Sequence, residues 1–336
     1  MKKLLSIFTI LAATLCGCHH IEEWDNDACG NFEALWTIMD EHYCFFEEKD
    51  VDWDEVHTRY SQRIYNGMSS RMLFGALSDM LDELRDGHVN LSASFNTSYY
   101  RKWWSDYPQN YNERLVQQYY LGFNYKSLGA TYYAILPQNV GYLRWGSFSA
   151  GLGESNLDAI LNEFAFCNGI IIDIRDNGGG NLTYAEDLIR RFLSERTLAG
   201  YMIHKTGPGR ADFSEPYAYY YDPADPGRLQ WHKPVAILTN RSTFSAANNF
   251  VSIMQYLPDV YIVGARTGGG SGMPLSLELP NGWGIRLSGV SVLDAKGNTT
   301  ESGIDPTEGC AVDLDPELAL QGIDTMLEHA INILCR

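Results

Sequence analysis

Residues 169–181, GIIIDIRDNGGGN, decide how this chain folds. The run Ile170 to Ile172 is apolar and β-branched, the pattern of a short strand buried on both faces. Asp173 and Arg175 fall where that strand should end. Gly178, Gly179 and Gly180 follow, and then a helical pattern from Tyr184 to Leu193. A strand that runs through glycines into a helix aims free backbone N–H groups outward. Such a turn can hold a phosphate or the oxyanion of an acyl-transfer intermediate. The G-x-G-x-x-G spacing of a dinucleotide site and the lysine of a P-loop are both missing. Local chemistry leaves two readings: an anion-holding turn, or a tight connection that needs glycine's backbone freedom.

Working outward, a second unit of the same kind follows. Pro234 to Asn240 reads as a buried strand and runs into small residues around Ser245, then Phe250, Ile253 and Met254 at helical spacing. A serine at a helix start is either an N-cap or a nucleophile, since the helix N-terminus favours developing negative charge. Val260 to Val263 is a further strand. Strands recur to Val292, Glu301 follows, and a helix is expected from Pro316 to Leu334. Upstream, Val140 to Trp145 reads as a strand and Leu157 to Phe166 as a helix. Strands alternating with helices predict an α/β core over 139–336.

Before that core, the spacing predicts three amphipathic helices, Phe32 to Tyr43, one entered at Asp52-Trp53-Asp54, and Ser70 to Leu84. They form a helical subdomain over 32–90. It closes on Arg85-Asp86-Gly87-His88, a turn before an alternating strand, where His88 is easily presented to a cleft. Residues 91–138 form an aromatic-rich connecting segment, with Tyr99, Tyr100, Trp103, Trp104 and Tyr107 among its rings.

The 336 residues suffice for a large core, and a net charge of −17 argues against nucleic acid as partner. Lys2 and Lys3 precede an apolar run, Leu4 to Leu15, too short to span a bilayer. Leu15-Cys16-Gly17-Cys18 resembles the lipobox of bacterial lipoproteins. That implies a signal peptide over 1–17, lipidation of Cys18, a tether over 18–31 and a lipid-anchored place in the bacterial cell envelope, periplasmic or on the outer-membrane surface. Five cysteines remain after Cys18, with Cys29 and Cys44 a candidate disulfide.

Several motifs, in one order, together resemble the C-terminal-processing, or tail-specific, serine peptidases. They are Val51-Asp52-Trp53-Asp54, Leu84-Arg-Asp86-Gly-His88, the 173–180 turn, Thr243-Phe-Ser245-Ala-Ala247, Gly264-Ala-Arg-Thr267-Gly268 and Glu301-Ser-Gly-Ile-Asp-Pro306. The resemblance implies a crotonase-like (ClpP/crotonase) α/β core behind a helical cap. It also implies Ser245 as nucleophile, with the Gly179 and Ala246 amides as oxyanion donors. Part of the family takes its base from a lysine in the stretch after the nucleophile, at a position that is Gly270 here. The tricorn-like, retinoid-binding-repeat-like branch takes a histidine after the helical cap, which implies His88, and a late glutamate, which falls on Glu301. Where tricorn carries a serine between the two, this chain has Gly87, so Glu301, Asp86 or a water orients the imidazole. The span 91–138 is too short for the PDZ domain of many relatives. The expected activity is a serine-type endopeptidase acting on peptide or protein substrates, without metal or organic cofactor. The rival expectation is an inactive peptide- or glycan-binding surface lipoprotein on the same fold.

Overall fold

The structure, a computed structural model, describes residues 24–335. The signal segment and Cys18 lie outside the described residues. The chain opens with helices α1 (Ala28–His42), α2 (Trp53–Ser61) and α3 (Ser70–Asp82). Each starts at a side chain that accepts orphan amides: Asp27 from Gly30, Asp52 from Asp54 and Glu55, Ser69 from Met72. Helix α1 thus takes up residues 28–31 of the stretch expected to be tether.

Strands β1 (Asn90–Ala93), β2 (Asn96–Thr97), β3 (Lys126–Leu128), β4 (Thr131–Leu136) and β5 (Val140–Trp145) come next. Helix α4 (Glu154–Glu163), strand β6 (Ile170–Asp173) and helix α5 (Leu182–Ile189) follow. Then come β7 (Thr197–His204), β8 (Tyr217–Tyr221), β9 (Val235–Thr239) and α6 (Ala246–Met254). The chain closes with β10 (Val260–Gly264), β11 (Met273–Glu278), β12 (Gly284–Leu293) and α7 (Thr325–Leu334).

One sheet runs β10-β9-β6-β5-β4-β3, parallel from β10 to β5 and antiparallel at β4 and β3. Its middle strand β6 is buried on both faces, as its composition predicts. Ile170 and Ile172 face one core with α4, α5 and α6, whereas Ile171 faces a second core with α7. The period-2 alternation of a strand divides the residues between the two layers. Because β3 and β4 extend this sheet, part of the expected connecting segment belongs to the core.

The other sheet centres on β12, which pairs with β1, β7 and β11, while β2 and β8 extend it. Ile285 and Leu287 of β12 share one core with Leu35, Met39, Trp53 and Leu77 of the helices. The helical region is therefore the covering layer of this sheet. The expected closing helix is broken in two at Gly322, whose φ of +87° suits glycine, and α7 restarts on an Asp324 cap. Cys29 and Cys44 are both free thiols, which corrects the candidate disulfide.

Candidate active site

Three loops meet at one place. The first is the turn after β6. Its end is fixed by a fully buried ion network in which Arg175 Nη2 donates to Asp173 Oδ2 at 2.6 Å and Nη1 to Asp324 Oδ2 at 2.8 Å. Tyr142 adds its hydroxyl to Asp173 at 2.8 Å. Burial opposes ionisation of Asp173, yet the Arg175 guanidinium outweighs it and holds the carboxyl below its ordinary value. Asp173 and Arg175 thus brace the strand end against α7. Asn177 accepts the Gly179 amide on Oδ1 at 2.9 Å and donates from Nδ2 to the Trp145 carbonyl at 2.9 Å. Gly179 has φ +95°, and a Cβ there would lie 2.8 Å from the Ser245 Cβ and 2.9 Å from the Ala246 nitrogen. Only glycine lets this turn approach so closely.

The second loop joins β9 to α6 and carries Ser245. Its φ of +58° and ψ of −122° put a non-glycine residue in a sparsely populated region, a strain of about 1–3 kcal/mol that surrounding contacts must hold. The Ser245 side chain makes no capping bond, so the N-cap reading falls away. Its backbone N–H donates to the Gly269 carbonyl at 2.9 Å. Ala246 is the first residue of α6, so its amide is among those no intrahelical carbonyl accepts.

The third is the turn before β1. His88 Nε2 lies 2.9 Å from Ser245 Oγ, although the two are 157 residues apart in the chain. The imidazole is 3% exposed and tilts against the Phe244 ring, with 4.8 Å between centroids. Burial pushes its pKa down to about 4, against the pull of Asp86. Asp86 does not orient the ring. Its Oδ1 accepts the His88 backbone N–H at 2.7 Å, and its Oδ2 accepts from Tyr43 at 3.0 Å and Ser288 at 2.9 Å. His88 Nδ1 is buried and has no hydrogen-bond partner among the described residues.

Glu301 is buried too, but its carboxylate is bonded elsewhere. Lys49 Nζ donates to Oε1 at 2.8 Å, and the Ser271 backbone N–H to Oε2 at 2.8 Å. Burial and the Asp86 charge raise its pKa to about 7, with Lys49 pulling down. Sequence reasoning missed Lys49, which sits in the helical turn Phe46–Lys49 and showed no motif. At Gly270, where the lysine-using relatives place their base, a Cβ would come within 2.3 Å of the Phe244 ring. A cleft of about 620 Å³ opens beside the pair, lined by Gly87, Gly178, Phe244, Tyr99, Tyr107 and Arg241 among others. Among the described residues no cluster could hold a metal ion, and no helix is long and apolar enough to cross a membrane.

The model of peptidase family S41 matches residues 139–309, half of the chain. The chain belongs to peptidase family S41. The tricorn protease C1 domain model matches residues 25–84, the helical layer. A solved structure of a candidate peptidase from Parabacteroides merdae is 47% identical, covers 92% of this chain and 97% of that one, and gives a TM-score of 0.87. Mature CPAF shares the fold at 13% identity, with a TM-score of 0.70 over 91% of this chain and 98% of its own. A carboxyl-terminal-processing protease of Synechocystis sp. is 28% identical over 152 residues. The matched stretch is 45% of this chain and only 33% of the length of that relative.

Proposed function

We propose that this S41 chain is a lipid-anchored serine peptidase of the bacterial cell envelope that hydrolyses peptide bonds through an acyl-enzyme on Ser245. The observation that carries this reading is the 2.9 Å contact between Ser245 Oγ and a buried His88 Nε2, made by a serine in a strained backbone conformation. With its pKa pushed down, His88 is neutral at physiological pH and can accept a proton. Ser245 Oγ attacks the scissile carbonyl carbon as its proton passes to Nε2. The tetrahedral intermediate collapses, Nε2 gives the proton to the leaving amine, and water repeats the sequence to free the acid.

The oxyanion donors in this reading are the Ala246 and Gly179 amides. Ala246 needs no release from a helical partner. Gly179 leaves the neutral Asn177 carbonyl for the developing anion, a change favoured because hydrogen bonds to ionised acceptors are about twice as strong. The peptide lies in the cleft between the Tyr99–Tyr107 segment and the glycine turn. Lipidation at Cys18 supplies the anchor.

A pooled peptide library read by mass spectrometry tests the activity. Wild type should cleave. Ser245→Ala and His88→Ala should each lose on the order of 10⁴-fold or more, and the double variant little beyond either alone. Cleavage that survives in Ser245→Ala would move the nucleophile elsewhere. Peptides bound but cut by none of the proteins would favour the binding-protein reading.

A further inference from the structure

Lys49 puts a charged side chain of the helical layer onto Glu301, across 252 residues of sequence. Both groups are largely buried, with side-chain exposures of 14% and 3%. Lys49 is itself held, since Arg85 donates to its carbonyl. From Glu301 a chain of bonds leads to the nucleophile. The carboxylate accepts the Ser271 amide at 2.8 Å, and the Glu301 carbonyl accepts the Gly270 amide at 3.2 Å. A Cβ on Gly269 would lie 1.8 Å from that same carbonyl, so the two loops interlock. The Gly269 carbonyl in turn receives the Ser245 backbone N–H, which fixes the strained serine. A buried ion pair gains little net stability, because desolvation offsets the Coulomb attraction; its attested use is to fix one arrangement.

We infer that Lys49 is a positioning residue of this site, acting through Glu301 on the Gly268–Ser271 loop that holds Ser245. Its kinetic consequence rests on the peptidase reading of Ser245; its structural consequence does not. Lys49 touches Glu301 at 2.8 Å, the Asp86 charge also acts on it, and Tyr43, Cys44 and Glu48 lie within electrostatic reach of the group. Lys49 pulls this buried carboxyl down, so without it the Glu301 pKa climbs above its present value of about 7, the group is protonated at neutral pH and the loop loses its charged anchor.

The test is a cycle of Lys49→Met, Glu301→Gln and the double variant, with Lys49→Arg as the conservative control. Lys49→Met should lower kcat/KM at neutral pH by about ten- to a hundredfold, mostly in kcat, the scale of a small misplacement of a reacting group. The acid limb of its pH profile should move upward. Lys49→Arg should retain most activity. In the Glu301→Gln background the methionine should add less than about threefold, because one chain of contacts is then already broken. Multiplying, independent effects would overturn the inference. Hydrogen exchange at the Gly270 and Ser271 amides reads the linkage without turnover and should quicken in Lys49→Met but not in Lys49→Arg. Unchanged exchange would also overturn it. A wild type that cleaves no peptide would count against the peptidase reading alone, leaving exchange to decide. If Lys49→Met does not fold, the double variant, which buries no unpaired charge, is compared with Glu301→Gln by the same measurement: near-equal exchange at Gly270 and Ser271 is expected, and clearly faster exchange in the double variant would overturn the inference.

Discussion

His88 and Glu301 are pushed in opposite directions by the same cause. Burial disfavours charge, so the imidazole pKa falls to about 4 and the carboxyl rises to about 7. The consequences for stability have opposite signs. Unfolded histidine titrates near 6.5, so between about pH 4 and 6.5 the unfolded chain binds the extra proton and His88 makes stability rise with pH. Unfolded glutamate titrates near 4.3, so between about pH 4.3 and 7 the folded protein binds the extra proton and Glu301 makes stability fall as pH rises. The two offset each other in wild type. Relative to it, Glu301→Gln should show stability climbing with pH across the shared window, and His88→Gln the reverse. Urea midpoints at several pH values in that window check this, and slopes of one sign in both variants would contradict it. Legibility at this scale was uneven. Ser245 and His88 could be named because their turns resemble those of a known peptidase family; the local pattern alone left the serine as N-cap or nucleophile. Lys49 could not, since one lysine at the end of a helical turn has no sequence signature for a contact 252 residues away. Nor does sequence show that the Gly179 amide rests on Asn177, a bond set by the local turn geometry.

At the scale of elements, the strand–turn–helix unit around β6 was legible because composition and period point the same way. Its alternate isoleucines enter two different cores, as a strand buried on both faces requires. The breaks were harder. The C-terminal helix divides at Gly322, where a glycine stop and the Asp324 cap are local signals that the longer helical period masked. The helical layer, by contrast, shares its core with β12 through packing between distant segments that leaves no local pattern. Asp173 and Arg175 stand in the most motif-like stretch yet serve the frame, tying β6 to the start of α7. Arg175→Met should cost about 3–5 kcal/mol, because it strips buried Asp324 of its guanidinium partner and leaves buried Asp173 with only the more distant Arg144, 3.9 Å away. Chemical denaturation measures this; a loss under about 1 kcal/mol would show that the network does not brace the strand end.

For the whole molecule, the two sheets and the helical layer bring together the three loops at residues 86–88, 177–181 and 243–246, backed by the 268–271 loop that holds the Ser245 backbone, and no single segment contains the site. The proposed anchor lies before all of it. Cys18→Ala should release the protein to the soluble fraction or leave a precursor of higher mass, and a variant that is processed and membrane-associated like wild type would exclude lipidation at that cysteine. Ser245 as nucleophile, with His88 as its base, is the proposed product of this assembly. The most direct measurement is labelling of the purified protein with a serine-directed phosphonate, followed by mass mapping of the modified residue. One stoichiometric adduct is expected, on Ser245, formed at least about a hundredfold more slowly in His88→Ala, in keeping with the contribution of a positioned base. An adduct on another serine, or none on a folded wild type, would contradict it.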